Sequence, residues 1–558
     1  MPDTSVPVLL VVSRLFEAFQ LPFLALMIVS RVQENSIHGL KKRTSVSWYR
    51  AKLLSMNLSR RLFLLRSAAF ASTVYAAPSF KNYPFTLGVM SGEPAPDGFV
   101  LWTRLAPDLL NGGGMDNTSM EVEWMVAEDR GMKRVVKKGK AIAAPALGHS
   151  VHVGVAGLKP HRPYWYRFKA GKELSSIGRA ITAPNPGEKQ DKIKFAFASC
   201  QNWEAGLWTA YQHMLEDDPE LVVHLGDYIY EGATKDTGVR RHNSAEIISL
   251  ADYRNRHALY KSDPSIQRMH AHCSWIVTWD DHEVDNNYAG DAPEDKQTRQ
   301  EFLERRANAY QAYYEHMPLH PSSLPQGTKM QLYRKLQYGD LAEFTVLDTR
   351  QYRSDQPCGD GTKEPCPGVF DPNATILGEA QEAWLHQTLD KSQAKWNVIA
   401  NQVMMARIDQ KAGPEEAISM DQWSGYEASR NRMMEFLRDR KPNNPIVITG
   451  DIHSNWVNDL KVNWKDEKSP VVGSEFVGTS ISSGGDGADL RATTKDTYRE
   501  NPHLKMFNGQ RGYVLVSLNP ERCRADYRIL PFVTKPGSPV QTHSSWVVEN
   551  NRRGVQKA

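Results

Sequence analysis

The chain has 558 residues, a length that predicts more than one domain. Its composition, 41% hydrophobic and 24% charged, is typical of globular proteins and excludes the fibrous and low-complexity classes. The formal charge of +4 arises in residues 1–76, which hold ten Lys/Arg and three Asp/Glu; the remainder has 58 basic and 61 acidic residues, and this near-neutral balance gives no electrostatic signature of nucleic-acid binding.

Residues 56–76 predict an export signal. The segment reads MNLSRRLFLLRSAAFASTVYA, in which Arg60 and Arg61 precede a short apolar run and Ala76 offers a small residue for signal-peptidase cleavage. This pattern is typical of a twin-arginine signal, so we expect the Tat export machinery as a partner and a periplasmic or secreted location. A basic-flanked amphipathic helix is the alternative interpretation.

The segment before this signal, residues 1–55, is interpreted as an upstream extension. Export signals begin at the N-terminus, so Met56 is the predicted start of the chain. The apolar run within the extension is interrupted by Arg14, Glu17 and Gln20 and lacks the roughly twenty continuous apolar residues that a membrane span requires. We therefore expect no permanent membrane anchor.

The five cysteines agree with export. Cys358 and Cys366 bracket the polar, turn-rich sequence GDGTKEP, and we predict a disulfide between them in an oxidising compartment. A metal clip is the rival interpretation, but it needs two further ligands close by in the sequence. Cys273 and Cys523 are expected to be small buried hydrophobic side chains.

Residues 83–185 alternate with the period of β-strands. Short runs such as GFVLWTRL, MEVEWMVAED and PYWYRFKAG lie between turns rich in Gly, Pro, Asn and Asp, which predicts a β-sandwich of the immunoglobulin or fibronectin kind. The segment holds no cluster of titratable residues, so we assign it a structural or positioning role. A polar Pro/Gly linker at residues 182–192 ends it.

From residue 192 to residue 530 the pattern changes to strands alternating with helices, which indicates an α/β or layered α+β domain. Residues 533–558 are interpreted as a C-terminal tail. Successive strands of this domain stop at polar residues: Cys200, Asp227, Asp280 and Asp281, Asp348 and Arg350, Asn401 and Gln402, and Asp451 and His453. Because loops converge at the carboxyl ends of strands in layered folds, we expect these side chains to form one site.

The sequence GDYIYE suits a metal centre. The carboxylate of Asp227 can bridge two cations, and the phenol of Tyr230, three residues later, can turn back to the same centre, where a phenolate favours ferric iron. An aspartate after a strand is often only a turn or capping residue, and Tyr230 has the alternative of an ordinary packed aromatic ring. Capping does not require tyrosine, asparagine or a second histidine, so the repeated pattern favours a site.

Two further segments offer ligands and an acid. WDDHEVDNN presents the carboxylate of Asp281 beside the imidazole of His282, which can protonate a leaving oxygen or hold a phosphoryl group, with Glu283 as the residue that orients the ring. GDIHSNW presents Asp451 and His453 on the same face of an extended segment, so both side chains can reach adjacent metals.

These segments resemble the metallophosphatase pattern, and FASCQN, WDDHEVDNN, DTRQYRSDQP, DQWSGYEASR and GDIHSNW are similar to one branch, the alkaline phosphatase D (PhoD) family. The resemblance covers roughly residues 83–530. It implies an α+β protein in which an N-terminal β-sandwich precedes a layered α/β/β/α metallophosphatase domain. It also implies an exported, metal-dependent phosphomonoesterase or phosphodiesterase that takes a phosphoester substrate.

The resemblance also implies cofactors and their ligands. Fe3+ is assigned to Cys200, Asp227, Tyr230 and His453. Ca2+ is assigned to Asp227, Asp281 and Asp451, with Asn401 or Gln402 as an additional ligand, in keeping with the oxygen donors that calcium prefers. For Cys200 the alternative is a small buried hydrophobic side chain.

The implied mechanism is in-line attack on phosphorus by hydroxide held between the cations, with Asp227 bridging the metals and His282 assisting the phosphoryl or leaving group. Arg350 and Arg353 are candidates for binding the phosphate because a guanidinium matches two phosphoryl oxygens. Either arginine can instead form a structural ion pair with Asp348 or Asp355.

Two other function classes stay open at this stage: an iron-dependent redox or haloperoxidase-like enzyme, and a non-enzymatic cell-surface binding protein that uses the sandwich. The sequence does not decide between phosphomonoesters and phosphodiesters, although the insertions at residues 233–250 and 354–372 are placed to shape the substrate pocket.

Overall fold

The computed structural model describes residues 80–294 and 296–558. The predicted extension (1–55) and the predicted twin-arginine signal (56–76) lie outside the described residues.

The described chain begins with two antiparallel sheets that pack face to face. Its strands are β1 (Val89–Ala95), β2 (Gly98–Arg104), β3 (Met120–Ala127), β4 (Val135–Ala143), β5 (Ser150–Val155), β6 (Pro163–Ala170), β7 (Glu173–Leu174) and β8 (Gly178–Ile181). Strands β1, β2 and β5 form one sheet, and β4, β3, β6, β7 and β8 form the other. Alternate side chains of both sheets, such as Leu101 and Phe168, share one apolar core. The predicted sandwich is confirmed, and its immunoglobulin- or fibronectin-like character remains a prediction.

The sandwich is joined to the rest of the protein by backbone hydrogen bonds. Strand β1 pairs in parallel with a strand of the larger sheet, with Ser91 opposite Ser274, and the two hydroxyl oxygens lie 3.1 Å apart. The polar linker predicted at residues 182–192 therefore joins two parts that already share a sheet.

The larger part of the protein contributes sixteen further strands: β9 (Ile193–Ala198), β10 (Leu221–His224), β11 (Ser274–Val277), β12 (Arg334–Tyr338), β13 (Ala342–Val346), β14 (Thr362–Lys363), β15 (Trp396–Ala400), β16 (Ile418–Ser419), β17 (Pro445–Thr449), β18 (Asn455–Lys461), β19 (Val471–Val477), β20 (Gly487–Ala488), β21 (Leu504–Leu518), β22 (Arg522–Leu530), β23 (Gln541–Glu549) and β24 (Gln556–Lys557). Strands β9, β10 and β11 run parallel to one another, and so do β13, β15, β17 and β19.

The helices are α1 (Thr209–Glu216), α2 (Leu250–Lys261), α3 (Pro264–His272), α4 (Arg299–His316), α5 (Gly378–Lys391), α6 (Glu427–Arg440) and α7 (Thr494–Glu500). Helix α4 begins at a capping box in which Thr298 and Glu301 exchange hydrogen bonds, as the sequence TRQE favours. None of the helices in the described ranges is both long and apolar enough to span a bilayer.

The two groups of parallel strands pack against each other and carry helices on their outer faces. Apolar side chains from both groups, such as Phe195 and Phe344, meet in one core. A second core lies between the β9–β11 group and helices α1–α4, and a third lies under α5 and α6. The predicted α/β/β/α layers and the α+β class are confirmed.

The C-terminal segment differs from the tail that the sequence suggested. Strand β23 pairs with β22 over its whole length, from Gln541 opposite Ile529 to Glu549 opposite Arg522. Its inward-facing Trp546 and Val548 belong to the core between the two strand groups. The sheet therefore extends beyond the predicted boundary at residue 530, because β23 pairs with β22 on one side and with β24 on the other.

Lys261, at the end of α2, is a buried amine without a carboxylate partner among the described residues. Its Nζ lies 3.3 Å from the Tyr228 hydroxyl and over the rings of Trp102 and Tyr228, at 4.5 and 4.9 Å from the ring centroids. Burial lowers the pKa of Lys261 well below its ordinary value. A buried amine of this kind reduces the stability of the fold near neutral pH.

We predict that Lys261→Met raises the free energy of unfolding near neutral pH, because methionine keeps the packing and removes the amine. The gain should shrink as pH rises towards the ordinary lysine pKa of about 10.4, since the unfolded wild type binds the extra proton only below that pH. Denaturant unfolding at several pH values measures both effects. Exposed Lys138→Met is the control, and a gain that stays constant with pH would contradict the account.

Candidate metal centre

The loops that follow β9, β10, β11 and β17 meet at one place. Ligand atoms of Cys200, Asp227 and His453 all lie within 4.8 Å of one another. The same holds for Asp227, Asp281 and His282, and for Asp280, Asp281 and Asp451. Asp227 and Asp281 each belong to two of these groups, so the three groups form one continuous cluster, as the sequence predicted from strand ends alone.

The backbone at this cluster is held in an unusual conformation. Cys200, Asp227, Asp451 and His453 all have positive φ, at 58°, 54°, 63° and 54°. A non-glycine residue in the left-handed region costs on the order of 1–3 kcal/mol, and such residues concentrate at functional sites. The strand-end turns therefore place these side chains at the expense of local backbone stability.

Two glycines let the turns approach each other closely. A Cβ at Gly226, whose φ is 110°, would lie 2.4 Å from the Cβ of Asp280. A Cβ at Gly450 would lie 2.6 Å from the Ser199 hydroxyl oxygen. Each glycine directly precedes a site aspartate, so the Gly-Asp pairs of the sequence are needed for packing as well as for turning.

One side of the cluster offers sulfur, phenol and imidazole donors. The Tyr230 hydroxyl donates to Oδ2 of Asp227 over 2.9 Å, lies 3.1 Å from Nε2 of His453 and accepts a hydrogen bond from Ser483. Burial raises the pKa of both the Cys200 thiol and the Tyr230 phenol, whereas burial and nearby cations lower the pKa of His453 to about 3. A bound cation reverses this balance for the thiol and the phenol.

The other side is a concentration of carboxylates. Burial and the neighbouring carboxylates raise the pKa of Asp227 and of Asp280 well above the usual range, and burial and Asp421 raise that of Asp451 to about 6. Oδ1 of Asp227 and Oδ2 of Asp280 are buried without a hydrogen-bond partner among the described residues. Unpartnered buried oxygens are costly, and their convergence fits a centre that holds cations.

His282 is held by a different residue from the one predicted. Its Nδ1 lies 2.7 Å from Oε2 of Glu231, and its ring packs against Tyr230 with the ring centroids 4.0 Å apart. Burial alone would lower the pKa of His282, but the charges of Glu231, Asp281 and Asp227 raise it well above the ordinary value. The imidazole is therefore held and oriented by Glu231, not by Glu283.

Glu283 instead fixes the two loops that carry the carboxylates. Its side-chain oxygens accept hydrogen bonds from the backbone amides of Asp227, Tyr228 and Asp280, at 3.1, 2.5 and 2.8 Å. This role was not predictable from the local sequence, because the Asp227 and Tyr228 amides belong to a loop 56 and 55 residues before Glu283.

Arg350 and Arg353 are fully buried beside the cluster and bind carboxylates. Arg350 donates to Asp280 and, through two nitrogens, to both oxygens of Asp421, and it lies 3.5 Å from Asp451. Arg353 donates to Asp421 as well. Of the two roles weighed from the sequence, these contacts favour the structural ion pair, although the partners are not the predicted Asp348 and Asp355.

Asn401 and Gln402 lie close to the strand ends but use their amides internally. The Asn401 carbonyl oxygen accepts from the Trp423 indole, and its amide donates to the Val403 carbonyl. Gln402 accepts from Thr349 and donates to Thr278 and Leu347. Both amides therefore hold neighbouring segments together.

Sequence reasoning missed Glu231, Asp421, Gln422 and Ser483 as residues of this site. Gln422 donates to Asp451, and Ser483 donates to Tyr230. Glu231 directly follows Tyr230, which was a usable signal for its role. Asp421 and Gln422 open the segment DQWSGYEASR, whose resemblance to the family was a usable signal, but their partners Arg350 and Asp451 are distant in the sequence.

The loop closed by the Cys358–Cys366 disulfide supports both halves of the carboxylate cluster. Asp360 accepts from Asn287, whose backbone amide donates to Asp281 over 2.7 Å. The short strand β14 of the loop pairs with β16, just before Asp421 and Gln422. The predicted disulfide thus closes a loop whose residues contact Asn287 and β16, which in turn lie next to the carboxylates of the site. The other three cysteines, Cys200, Cys273 and Cys523, are free and buried.

Comparison with known protein families gives two matches. The model "PhoD-like phosphatase, N-terminal domain" matches residues 69–184, and the model "PhoD-like phosphatase" matches residues 195–527.

Individual proteins show the same similarity. Alkaline phosphatase D of Bacillus subtilis (strain 168) is 52% identical over 492 residues, which are 87% of this chain and 84% of the relative. The solved structure titled "Structure of PhoD" superposes with a TM-score of 0.85 at 52% identity, covering 86% of this chain and 93% of the other. Purple acid phosphatase 23 of Arabidopsis thaliana is 25% identical over 138 residues, 22% of this chain and 30% of its own length.

We predict that replacing Cys358 and Cys366 together by serine lowers the chelator concentration needed to inactivate the protein and reduces activity by about 10-fold, the usual scale for residues that support metal ligands. Activity titrated with a chelator measures the effect. A reducing agent should act on the wild type in the same direction and leave the double variant unchanged. Equal chelator resistance in both proteins would show that the loop does not support the site.

Proposed function

The chain belongs to the PhoD-like phosphatase family and is a phosphoester hydrolase, and we propose that it cleaves these esters outside the cytoplasm with iron and calcium held at the strand-end cluster. The observation that carries this proposal is the cluster in which Asp227 is shared between a Cys/His group and a carboxylate group. Neither alternative from the sequence, a redox enzyme or a non-enzymatic binding protein, gains support from a specific contact.

Fe3+ is proposed to lie among Cys200, Asp227, Tyr230 and His453. The support is the meeting of thiol, carboxylate, phenol and imidazole donors in one buried place, a set in which thiolate and phenolate stabilise the ferric state. The hydrogen bond from Ser483 keeps the Tyr230 oxygen directed at this place.

Ca2+ is proposed to lie beside Asp227, Asp281 and Asp451, where the donors are oxygens. Asp280 joins this group and shares its charge with Arg350. Asn401 and Gln402 are not proposed as calcium ligands, because their side-chain amides already form hydrogen bonds within the protein.

Bound metal ions would supply charge that activates a water for attack and neutralises the phosphoryl oxygens. His282 is proposed to donate a proton to the leaving oxygen, because Glu231 binds Nδ1 and leaves Nε2 without a partner among the described residues. The short His282–Glu231 contact keeps the ring in one orientation during this transfer.

Within the class of phosphoester hydrolases, we propose that the protein hydrolyses phosphomonoesters, as an alkaline phosphatase does.

Export is proposed to follow the twin-arginine pathway. The support is the sequence around Arg60 and Arg61 and the disulfide, which is stable in an oxidising compartment.

We predict that Asp227→Asn reduces hydrolysis of p-nitrophenyl phosphate by at least about 1000-fold, because groups that act as one unit fail together when one is removed. Metal analysis of the same preparation should show fewer bound ions per chain. Asp236→Asn is the control, since the Asp236 side chain is 93% exposed. An Asp227→Asn variant that stayed active with all its metal would contradict the proposed site.

We also predict that Arg60→Lys and Arg61→Lys together stop export and leave the protein in the cytoplasm, since the pathway reads the arginine pair. Cell fractionation followed by immunodetection measures this, and Arg66→Lys, an arginine of the same segment outside the pair, is the control. Peptide mapping of the uncleaved double variant retained in the cytoplasm tests the predicted Met56 start; a peptide from residues 1–55 would contradict it.

A further inference from the structure

A cationic side chain can assist the metals in binding a substrate phosphate only if carboxylates do not already neutralise it. Arg350 and Arg353 do not supply one, because Arg350 uses all three nitrogens on carboxylates and Arg353 binds Asp421. Both side chains are also inaccessible to solvent. Neither of these two guanidinium groups is therefore free to bind a substrate phosphate.

Arg491 meets this requirement. It lies in an exposed stretch between β20 and α7, and it has no carboxylate within ion-pair distance among the described residues. Its Nη2 lies 3.3 Å from the Ser454 hydroxyl, next to the proposed iron ligand His453. The guanidinium carbon lies 5.1 Å from the ring centroid of Phe507, a cation–π distance. The charge is thus held beside the turn that carries His453, and no carboxylate among the described residues neutralises it.

The stretch that carries Arg491 is fixed to the sheet. Strand β20 pairs with β21 at Gly509 and Gln510, and Asn508 donates to the Asp489 carboxylate over 2.8 Å. The Arg491 amide donates to the Thr494 hydroxyl over 2.8 Å. Because both ends of the short segment are anchored, the position of the guanidinium is set before a substrate arrives.

A second arginine, Arg511, stabilises the backbone next to this segment. Arg511 is buried and donates to the His453 carbonyl, the Ser480 hydroxyl and the Gly509 carbonyl. It therefore ties β21, the strand that pairs with β20, to the His453 turn, and we treat it as a positioning residue.

We propose that Arg491 binds the phosphoryl oxygens of the substrate and selects doubly charged phosphomonoesters over singly charged phosphodiesters. The inference rests on the proposed phosphoester hydrolase site and adds a residue that sets its substrate class. At alkaline pH a monoester carries two negative charges, because its second pKa is about 6, whereas a diester carries one. A guanidinium gains more from the dianion and matches its oxygens as a fork.

The test uses Arg491→Ala and Arg491→Lys in the full-length, metal-loaded protein. Hydrolysis of p-nitrophenyl phosphate and bis-p-nitrophenyl phosphate gives kcat/KM for each ester class, and calorimetric titration with inorganic phosphate gives a readout that needs no turnover. Metal analysis and the unfolding midpoint are recorded for every variant. Arg499→Ala is the matched control, because Arg499 is an arginine of adjoining α7 that pairs with Asp496 and Glu500.

For Arg491→Ala we expect kcat/KM for the monoester to fall by about 10- to 100-fold, the scale of one lost charge-assisted hydrogen bond, with a much smaller fall for the diester. Phosphate affinity should fall by a similar factor, metal content should not change, and Arg491→Lys should recover part of both losses. Arg499→Ala should match the wild type.

Equal losses for the two esters, or unchanged phosphate affinity in Arg491→Ala, would overturn the inference and leave the proposed function intact. If Arg491→Ala proved unstable, Arg491→Gln would decide in its place, since an unchanged ester ratio and unchanged phosphate affinity in that uncharged variant would also overturn the inference. A metal-loaded wild type that hydrolysed neither ester would instead contradict the proposed function itself.

Discussion

The structure of this protein depends on an excess of buried negative charge at the candidate metal centre. Seven carboxylates share the site with three cationic side chains; the carboxylates are those of Asp227, Glu231, Asp280, Asp281, Glu283, Asp421 and Asp451, and the cations are Arg350, Arg353 and His282. Ionised carboxylates removed from water are expensive unless they are paired or bind metal. Bound cations would offset this excess, in keeping with the raised pKa values of Asp227, Asp280 and Asp451. Arg350 offsets part of the charge, and Oδ1 of Asp227 and Oδ2 of Asp280 have no hydrogen-bond partner among the described residues.

The fold keeps these charges together by making the backbone rigid around them. Four site residues occupy the left-handed region, two glycines remove the Cβ atoms that would collide, and Glu283 binds backbone amides from two loops. The strain is compensated by cores on both faces of the paired strand groups, where Trp, Tyr and Phe side chains are buried. A site of this kind depends on the whole layered domain, including the C-terminal strand that closes the sheet.

Local patterns predicted the strands, the positions of their ends and the short-range pairs such as Gly226-Asp227 and Asp451-x-His453, because strand period and turn chemistry are encoded by neighbouring residues. The hydrogen-bond and ion-pair partners of residues that are far apart in the sequence were not predictable in the same way. The His282 ring forms a hydrogen bond with Glu231 and not with its neighbour Glu283. Arg350 forms an ion pair with Asp421, which is 71 residues away in the sequence. The strand at Gln541–Glu549 was missed because its first five residues are polar and show no apolar alternation, and its place between β22 and β24 is set by pairing with those strands.

The most direct test of the central claim is elemental analysis of the exported protein, combined with phosphoester hydrolysis measured on the same sample before and after chelation. The account predicts iron and calcium in fixed ratio to protein, with activity that is lost as the metals are removed and restored when they return. A metal-free protein with full activity would contradict it, because the buried carboxylates would then have no counter-charge and the strand-end residues no role in the reaction.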